Sequence, residues 1–173
     1  MIVVLIGYMA SGKSTLGKML AKKLNYKFVD LDDYIEEIEK MTVSDVFKNK
    51  GEIYFRKQES FYLQEILNTK NDIILSVGGG TPCFGNNMET ILNAKNLKSV
   101  YLKASIPKLV KKLIKKKAKR PLIAHIETEE ALAEFIGKHL FERSPYYSQA
   151  ELTISIDGKS KNKIVEELKL QLF

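Results

Sequence analysis

The first residues that could do chemistry form a glycine-rich segment that follows an apolar run. Residues 7–15 read GYMASGKST and fit the pattern G-x-x-x-x-G-K-[ST], and the apolar residues 2–6 precede them. Glycines at these two places let the backbone curl so that successive N–H groups point at an anion, and the following helix adds the positive end of its dipole. The segment therefore predicts a phosphate-binding loop for a nucleoside triphosphate.

Individual side chains of this loop can be given roles. Lys13 would reach the β- and γ-phosphates of ATP as a point charge, and the Ser14 hydroxyl would ligate Mg²⁺. A glycine-rich turn with a surface lysine is the plain structural alternative. The apolar strand before the loop and the amphipathic helix after it favour phosphate binding. The other loop residues that we expect to contact ATP are Ala10, Ser11, Gly12 and Thr15.

Two aspartates follow the second predicted strand, residues 26–29. Asp30 and Asp32 should lie beside the phosphate loop, because ligands of open parallel sheets bind outside the carboxyl ends of the strands. One carboxylate can hold Mg²⁺, and the other can accept a hydrogen bond from an attacking hydroxyl group. The alternative is that acidic residues in a first helical turn only complement the helix dipole, and Asp33 best fits that explanation.

Arginine is scarce in this chain, since Arg56, Arg120 and Arg143 are the only three among 28 basic residues. The planar guanidinium group binds a carboxylate or phosphate through two parallel hydrogen bonds, which lysine cannot do. The three arginines are therefore candidate site residues. Structural ion pairs are the competing explanation, because Glu52 and Glu59 lie within one turn of Arg56 on a predicted helix.

A glycine triplet ends the third predicted strand, and its members are Gly78, Gly79 and Gly80. A tight turn needs only one or two glycines. We therefore expect bare backbone to be pressed against a ligand at this point.

The elements that must position these residues alternate along the chain. Alternation of strands and helices implies a right-handed, doubly wound parallel sheet with flanking helices, and 173 residues suit one α/β domain. Strands are predicted over residues 2–6, 26–29, 72–77, 99–102 and 152–156.

Two helices carry more detailed predictions. The helix that begins near Glu52 is expected to bury its apolar residues. The helix that begins near Thr128 is expected to end within residues 143–147, where Pro145 stops it. The expected buried residues of the first helix are Ile53, Phe61, Leu63, Ile66 and Leu67.

Charge and composition limit the function classes. The net charge of +7 suits nucleic acid, a membrane surface or small anions, but the lysine-rich residues 111–119 include no aromatic residue that could stack on bases. We expect no nucleic-acid or membrane partner and keep nucleic acid as an alternative to test. The lone Cys83 cannot form an internal disulfide, and we expect a cytoplasmic protein. The basic segment at about 113–128 is predicted to be a mobile lid.

In this order and spacing, the motifs resemble those of the shikimate kinases, within the nucleoside-monophosphate-kinase-like group of P-loop proteins. The resemblance covers nearly the whole chain. It implies one kinase domain over 1–173, a five-stranded parallel sheet, a substrate-binding helical region at about 31–62 and a monomer. The motifs are G-x-x-x-x-G-K-S-T at 7–15, D-x-D at 30–32, F-R at 55–56, G-G-G at 78–80, R-P-L at 120–122 and R-x-P-x-Y at 143–147.

The resemblance implies Mg²⁺-dependent transfer of a phosphoryl group from ATP to a hydroxyl group of shikimate, on the route to chorismate and the aromatic amino acids. Asp30 matches the acid that helps to hold Mg²⁺, and Asp32 matches the acid that orients the attacking hydroxyl. Arg56 and Arg143 match the pair that binds the shikimate carboxylate, with the glycine triplet lining the same pocket. Arg120 matches the lid arginine over the transferred phosphate, which makes it both a catalytic and an ATP-binding residue.

Two alternatives stay open at this point. One is a kinase for another small hydroxy acid, such as gluconate, and the other is a P-loop NTPase that switches or binds without an acceptor. Lys111 or Lys112 occupies the region where relatives often place an arginine over the adenine, so no adenine contact is predicted.

Overall fold

The computed structural model describes the backbone of residues 1–173 and every side chain except that of Lys119, a member of the lysine-rich segment. Strands and helices alternate as the sequence predicts, and each predicted strand agrees with the observed one to within two residues at either end. The strands are β1 Ile2–Ile6, β2 Lys27–Asp30, β3 Ile73–Ser76, β4 Leu97–Lys103 and β5 Leu152–Ser155. The helices are α1 Lys13–Leu24, α2 Leu31–Glu39, α3 Val43–Lys50, α4 Glu52–Leu67, α5 Asn87–Asn93, α6 Ile106–Leu113, α7 Glu129–Tyr147 and α8 Lys161–Leu172.

The five strands form one parallel sheet in the order β2-β3-β1-β4-β5. Every residue of β1 is buried, as expected for the central strand of a sheet that is covered on both faces. β1 lies between β3 and β4, and the strand order reverses at this position. Ligands of open parallel sheets bind beside the carboxyl ends of the strands at such a reversal. The predicted five-stranded parallel sheet with flanking helices is confirmed.

Residues 31–67 form three helices, α2, α3 and α4, which pack on one another beside the sheet. Elsewhere α1 packs against α8, and α6 packs against α7. Across the described chain, no helix combines the length and the apolar character that crossing a membrane would require.

The predicted buried face of α4 is partly wrong. Leu63, Ile66 and Leu67 are buried, but Ile53 is 77% exposed and Phe61 is 59% exposed. The buried stripe of this helix also includes Phe55 and Glu59, and neither Ile53 nor Phe61 falls at a spacing of three or four residues from that stripe. Apolar character alone did not identify the inward face.

The observed end of α7 at Tyr147 lies within the predicted range 143–147, but the expectation that Pro145 stops the helix is wrong, because the proline lies inside it. Proline deletes the hydrogen bond to the carbonyl of residue 141, and Phe141 is 84% exposed. The added turn buries Tyr147 completely, and the Tyr147 hydroxyl donates to the Gly79 carbonyl at 2.6 Å. This tertiary contact offsets the local cost of the proline.

Two helical glycines give a matched test of packing. A Cβ on buried Gly17 would lie 2.5 Å from Cε2 of Phe28 and 3.1 Å from Cδ1 of Leu5, whereas one on Gly137 would meet only Cδ1 of Ile106 at 3.6 Å. We expect Gly17→Ala to lower the free energy of unfolding by about 1–3 kcal/mol through overpacking. Gly137→Ala should raise it by about 0.5–1 kcal/mol through better helix propensity.

Urea unfolding of the two variants and the parent protein measures both changes. Equal effects of the two substitutions would contradict the prediction, because the contact with Phe28 would then not determine stability at residue 17.

Candidate active site

The side chain of Lys13 folds back onto the phosphate loop and binds two of its carbonyl groups. The ammonium group of Lys13 donates to the carbonyl of Gly7 at 2.8 Å and to the carbonyl of Tyr8 at 3.0 Å. Burial lowers the pKa of Lys13 to about 8, and the carboxylates of Asp32 and Asp30 partly oppose that shift. A buried ammonium group held at the start of a helix favours an anionic ligand.

The backbone of the loop supports this geometry. Gly12 has a φ of +96° and Ala10 a φ of +63°, so both residues lie in the left-handed region. The ammonium group of Lys112 donates to the Ala10 carbonyl at 3.2 Å. The Ser11 hydroxyl is buried with no hydrogen-bond partner among the described residues. Thr15 is exposed on α1.

Ser14 and Asp30 contact each other across the loop. The Ser14 hydroxyl donates to Oδ2 of Asp30 at 2.6 Å, and Oδ1 of Asp30 accepts from the backbone N–H of Asp32 at 3.2 Å. Asp30 therefore caps α2 while its other oxygen faces the phosphate loop. Among the described residues, no cluster of three His, Cys, Asp or Glu side chains could hold a metal, so a cation here would need further oxygens from a ligand and water.

Asp32 lies in the first turn of α2 and points toward the glycine triplet. Burial raises its pKa to about 6, and the negative charges of Asp30 and Glu59 add to the shift, while Lys13 opposes it. A carboxylate that ionises this close to neutrality can accept a hydrogen bond, or a proton, from a hydroxyl group.

Arg56 is held by the ion pairs that the sequence left open as an alternative. Its Nη1 donates to Oε1 of Glu59 at 2.7 Å, and its Nε lies 3.7 Å from Oε1 of Glu52. Glu59 is 1% exposed, and its second oxygen accepts from the Thr81 hydroxyl at 2.7 Å. These contacts hold the guanidinium group of Arg56 through Nη1 and Nε, and neither carboxylate pairs with Nη2.

The glycine triplet touches three candidate side chains that are far apart in sequence. A Cβ on Gly78 would lie 3.3 Å from Oδ1 of Asp32. A Cβ on Gly79 would lie 3.1 Å from Nη1 of Arg143, and one on Gly80 would lie 2.8 Å from Nη2 of Arg56. The bare backbone therefore makes room for the charged side chains themselves, a reason that the sequence alone did not suggest.

Arg143 lies beside the phosphate loop. Its guanidinium carbon is 5.9 Å from the centre of the Tyr8 ring, and the Tyr8 hydroxyl is hydrogen-bonded to Nδ1 of His139 at 2.9 Å. Burial raises the pKa of Tyr8 to about 12, so this group stays a neutral phenol. Burial lowers the pKa of His139, and the positive charge of Arg143 adds to that effect.

Arg120 follows a short 3-10 turn over Lys117–Lys119 and is half-buried. Its positive charge lowers the pKa values of both Lys13 and Tyr8. Arg56 and Arg143 therefore meet at the glycine triplet, and Arg120 acts on the phosphate loop through its charge.

Comparison with known proteins assigns the chain to a family. The family model described as shikimate kinase matches residues 9–172. The chain belongs to the shikimate kinase family. A shikimate kinase from Flavobacterium psychrophilum is 48% identical over 171 residues, which cover 99% of this chain and 98% of the relative.

Solved structures of the family superpose closely on this chain. The crystal structure of a shikimate kinase from Bacteroides thetaiotaomicron has a TM-score of 0.88 at 36% identity and covers 99% of this chain and 97% of its own. A shikimate kinase from Acinetobacter baumannii in complex with shikimate has a TM-score of 0.85 at 29% identity and covers 99% and 91%.

Sequence reasoning found one supporting residue of the site and missed two. Glu59 pairs with Arg56, as the alternative of structural ion pairs allowed, but the Thr81 hydroxyl that donates to Glu59 and the His139 ring bonded to Tyr8 were not predicted. The spacing of three residues between Arg56 and Glu59 was a signal for their pairing. No local pattern indicated Thr81 or His139.

The raised pKa of Asp32 has a consequence for stability. Because the folded-state pKa of about 6 lies above the ordinary 3.8, the stabilising effect of the bound proton is fully present below about pH 4 and is lost as the pH rises through 6. Asp32→Asn is neutral at every pH. We expect it to raise the free energy of unfolding at pH 8 by roughly 1–2 kcal/mol, and by much less at pH 4.

Urea unfolding at both pH values measures this difference, with Glu37→Gln at an exposed position of the same helix as the control. If the stabilisation by Asp32→Asn is the same at pH 4 and pH 8, ionisation of Asp32 does not destabilise the folded protein.

Proposed function

We propose that this protein transfers the γ-phosphoryl group of ATP to a hydroxyl group of shikimate, giving ADP and shikimate 3-phosphate. The observation that carries the proposal is the meeting of Asp32, Arg56 and Arg143 against three consecutive glycines, beside the phosphate loop. Two guanidinium groups and one carboxylate suit an acceptor that bears both a carboxylate and hydroxyl groups. Membership of the shikimate kinase family supports the same substrate.

The acceptor would bind between the arginines and Asp32. Arg56 and Arg143 would hold the acceptor carboxylate through charge-assisted hydrogen bonds. Asp32 would accept a hydrogen bond from the attacking hydroxyl group and aim it at the γ-phosphorus. Since the pKa of Asp32 is about 6, the group is ionised at neutral pH and can take the proton as the new bond forms.

The nucleotide phosphates would lie in the loop, against the backbone N–H groups that open α1. The contacts would come from Ala10, Ser11, Gly12, Lys13, Ser14 and Thr15. Lys13 would exchange its present bonds to loop carbonyls for bonds to the phosphates, whose negative charge restores the ordinary pKa of its ammonium group. Arg120 would close over the transferred group when the predicted lid at about 113–128 moves.

Ser14 and Asp30 would hold Mg²⁺ together with phosphate oxygens and water, because their hydroxyl and carboxylate oxygens are adjacent and are the donors that this ion prefers. The ion supplies charge neutralisation at the β- and γ-phosphates.

Catalysis would then come mainly from positioning and electrostatics, because the transition state of phosphoryl transfer is loose and its charge lies on the γ-oxygens. Lys13 and Arg120 face those oxygens, and Asp32 faces the nucleophile. Closure of the site would exclude water as a competing acceptor. We propose that the enzyme works as a cytoplasmic monomer.

Release of ADP from Mg·ATP with shikimate, quinate, gluconate or no acceptor tests this function. We expect strong stimulation by shikimate alone. Arg56→Lys should raise the KM for shikimate by about 10- to 100-fold, because lysine cannot form the bidentate pair, and should leave the KM for ATP unchanged. Lys57→Gln, at the exposed neighbouring position, serves as the control.

Two results would overturn the proposal. ADP release without an acceptor would favour a hydrolysing switch, and stimulation by gluconate instead of shikimate would favour a different hydroxy-acid kinase.

The role of Asp32 has its own test. We expect Asp32→Asn to lower kcat with shikimate by about 10²- to 10⁴-fold, whereas Asp33→Asn keeps most of the activity. In the parent enzyme, kcat/KM should fall as the pH falls through about 6, because protonation removes the acceptor for the hydroxyl proton. An unchanged kcat in Asp32→Asn would exclude Asp32 from the proton transfer.

A further inference from the structure

Phe84 lies four residues after the end of the glycine triplet, in direct contact with Arg56. The guanidinium carbon of Arg56 is 3.7 Å from the centre of the Phe84 ring, so the planar group stacks on the face of the ring. Phe55 and Phe47 are also close, but their ring centres lie 5.3 and 5.9 Å away. Phe84 therefore makes the closest aromatic contact of this arginine.

The other contacts of Arg56 act at the edge of the guanidinium group. Nη1 donates to Glu59, and Nη2 lies against the main chain of Gly80. Such contacts hold the group within its own plane, whereas stacking on a ring restrains rotation out of the plane. Among the described residues the buried Nε atom has no hydrogen-bond partner, and its nearest carboxylate oxygen, on Glu52, is 3.7 Å away, so no hydrogen bond from Nε assists the restraint.

The space beside Phe84 explains why a restraint is needed. A cavity of about 550 Å³ opens on this side of Arg56, with the exposed Ile53 on its wall. Without the ring of Phe84, the guanidinium group could turn toward this cavity, where Glu52 and water would compete for its N–H groups. The cavity is lined by Glu52, Ile53, Arg56, Lys57, Ser60, Phe84 and Gly85.

We propose that Phe84 is a positioning residue, which holds the guanidinium plane of Arg56 in the orientation that the acceptor carboxylate requires. Phe84 acts through Arg56 and touches no reacting atom. It therefore contributes to the choice of a carboxylate-bearing acceptor and not to the rate of phosphoryl transfer. The inference rests on the proposed function, because it assigns the carboxylate of the acceptor to Arg56.

Steady-state kinetics of Phe84→Leu tests the inference. We expect the KM for shikimate to rise by about 3- to 30-fold, the range that loss of a partly desolvated cation–π contact implies. The kcat and the KM for ATP should change by less than about twofold, since the reacting groups are untouched. Phe84→Tyr keeps the aromatic face and should restore the parent KM. Phe61→Leu, on an exposed part of α4, controls for loss of a phenyl ring elsewhere.

A double-mutant cycle separates positioning from a general structural role. In the Arg56→Lys background, Phe84→Leu should change the KM for shikimate by less than about twofold, because lysine offers no planar group to be oriented. An equal rise in KM in both backgrounds, or a fall in kcat that Phe84→Tyr does not restore, would overturn the inference.

The parent enzyme measured in the same series distinguishes the two levels of failure. No phosphorylation of shikimate by the parent enzyme would overturn the proposed function and the positioning role together. An active parent enzyme with an unchanged KM in Phe84→Leu would overturn only the role of Phe84.

Discussion

Charged groups from three helices share one short stretch of main chain, and that close approach determines the geometry of the site. The glycine triplet that follows β3 is in contact with Asp32 of α2, Arg56 of α4 and Arg143 of α7. Charged atoms of these side chains lie 2.8 to 3.3 Å from the positions that Cβ atoms on the three glycines would take. A methyl group at Gly80 would meet Nη2 of Arg56 at 2.8 Å, so a side chain there would displace the guanidinium group. Because β3 lies next to β1 in the sheet, the same triplet brings these charges beside the phosphate loop.

Burial disfavours the ionised forms of two groups in the site, Lys13 and Asp32. It lowers the pKa of Lys13 to about 8 and raises the pKa of Asp32 to about 6, so both shifts disfavour the ionised form. A bound phosphate would supply the negative charge that Lys13 lacks, and a hydroxyl group would supply the donor that Asp32 lacks. Arg56 differs, because the buried Glu59 already neutralises it. The protein therefore gives up some stability at Lys13 and Asp32 and regains it when substrates bind.

The parts that could be predicted from sequence are those that depend on local patterns. The apolar runs predicted the strands. The loop motif, together with the rule that ligands bind at the carboxyl ends of parallel strands, predicted that Asp30 lies near Ser14, and oxygens of the two side chains are 2.6 Å apart. The parts that failed depend on contacts between distant segments. Tyr147 extends α7 past Pro145 because it reaches Gly79, and Phe84 stacks on Arg56 although it belongs to no motif. Spacing along the chain contains no information about such partners.

The packing of the predicted lid limits which part of it can move. Ile123 is fully buried and Ile126 is 7% exposed, so moving all of residues 113–128 would expose both side chains, at about 1.5–3 kcal/mol each. Leu113 is fully buried at the other end. A motion confined to the residues between Leu113 and Ile123 avoids these costs and still carries Arg120. The predicted closure of Arg120 would therefore leave α7, and with it Arg143, in place.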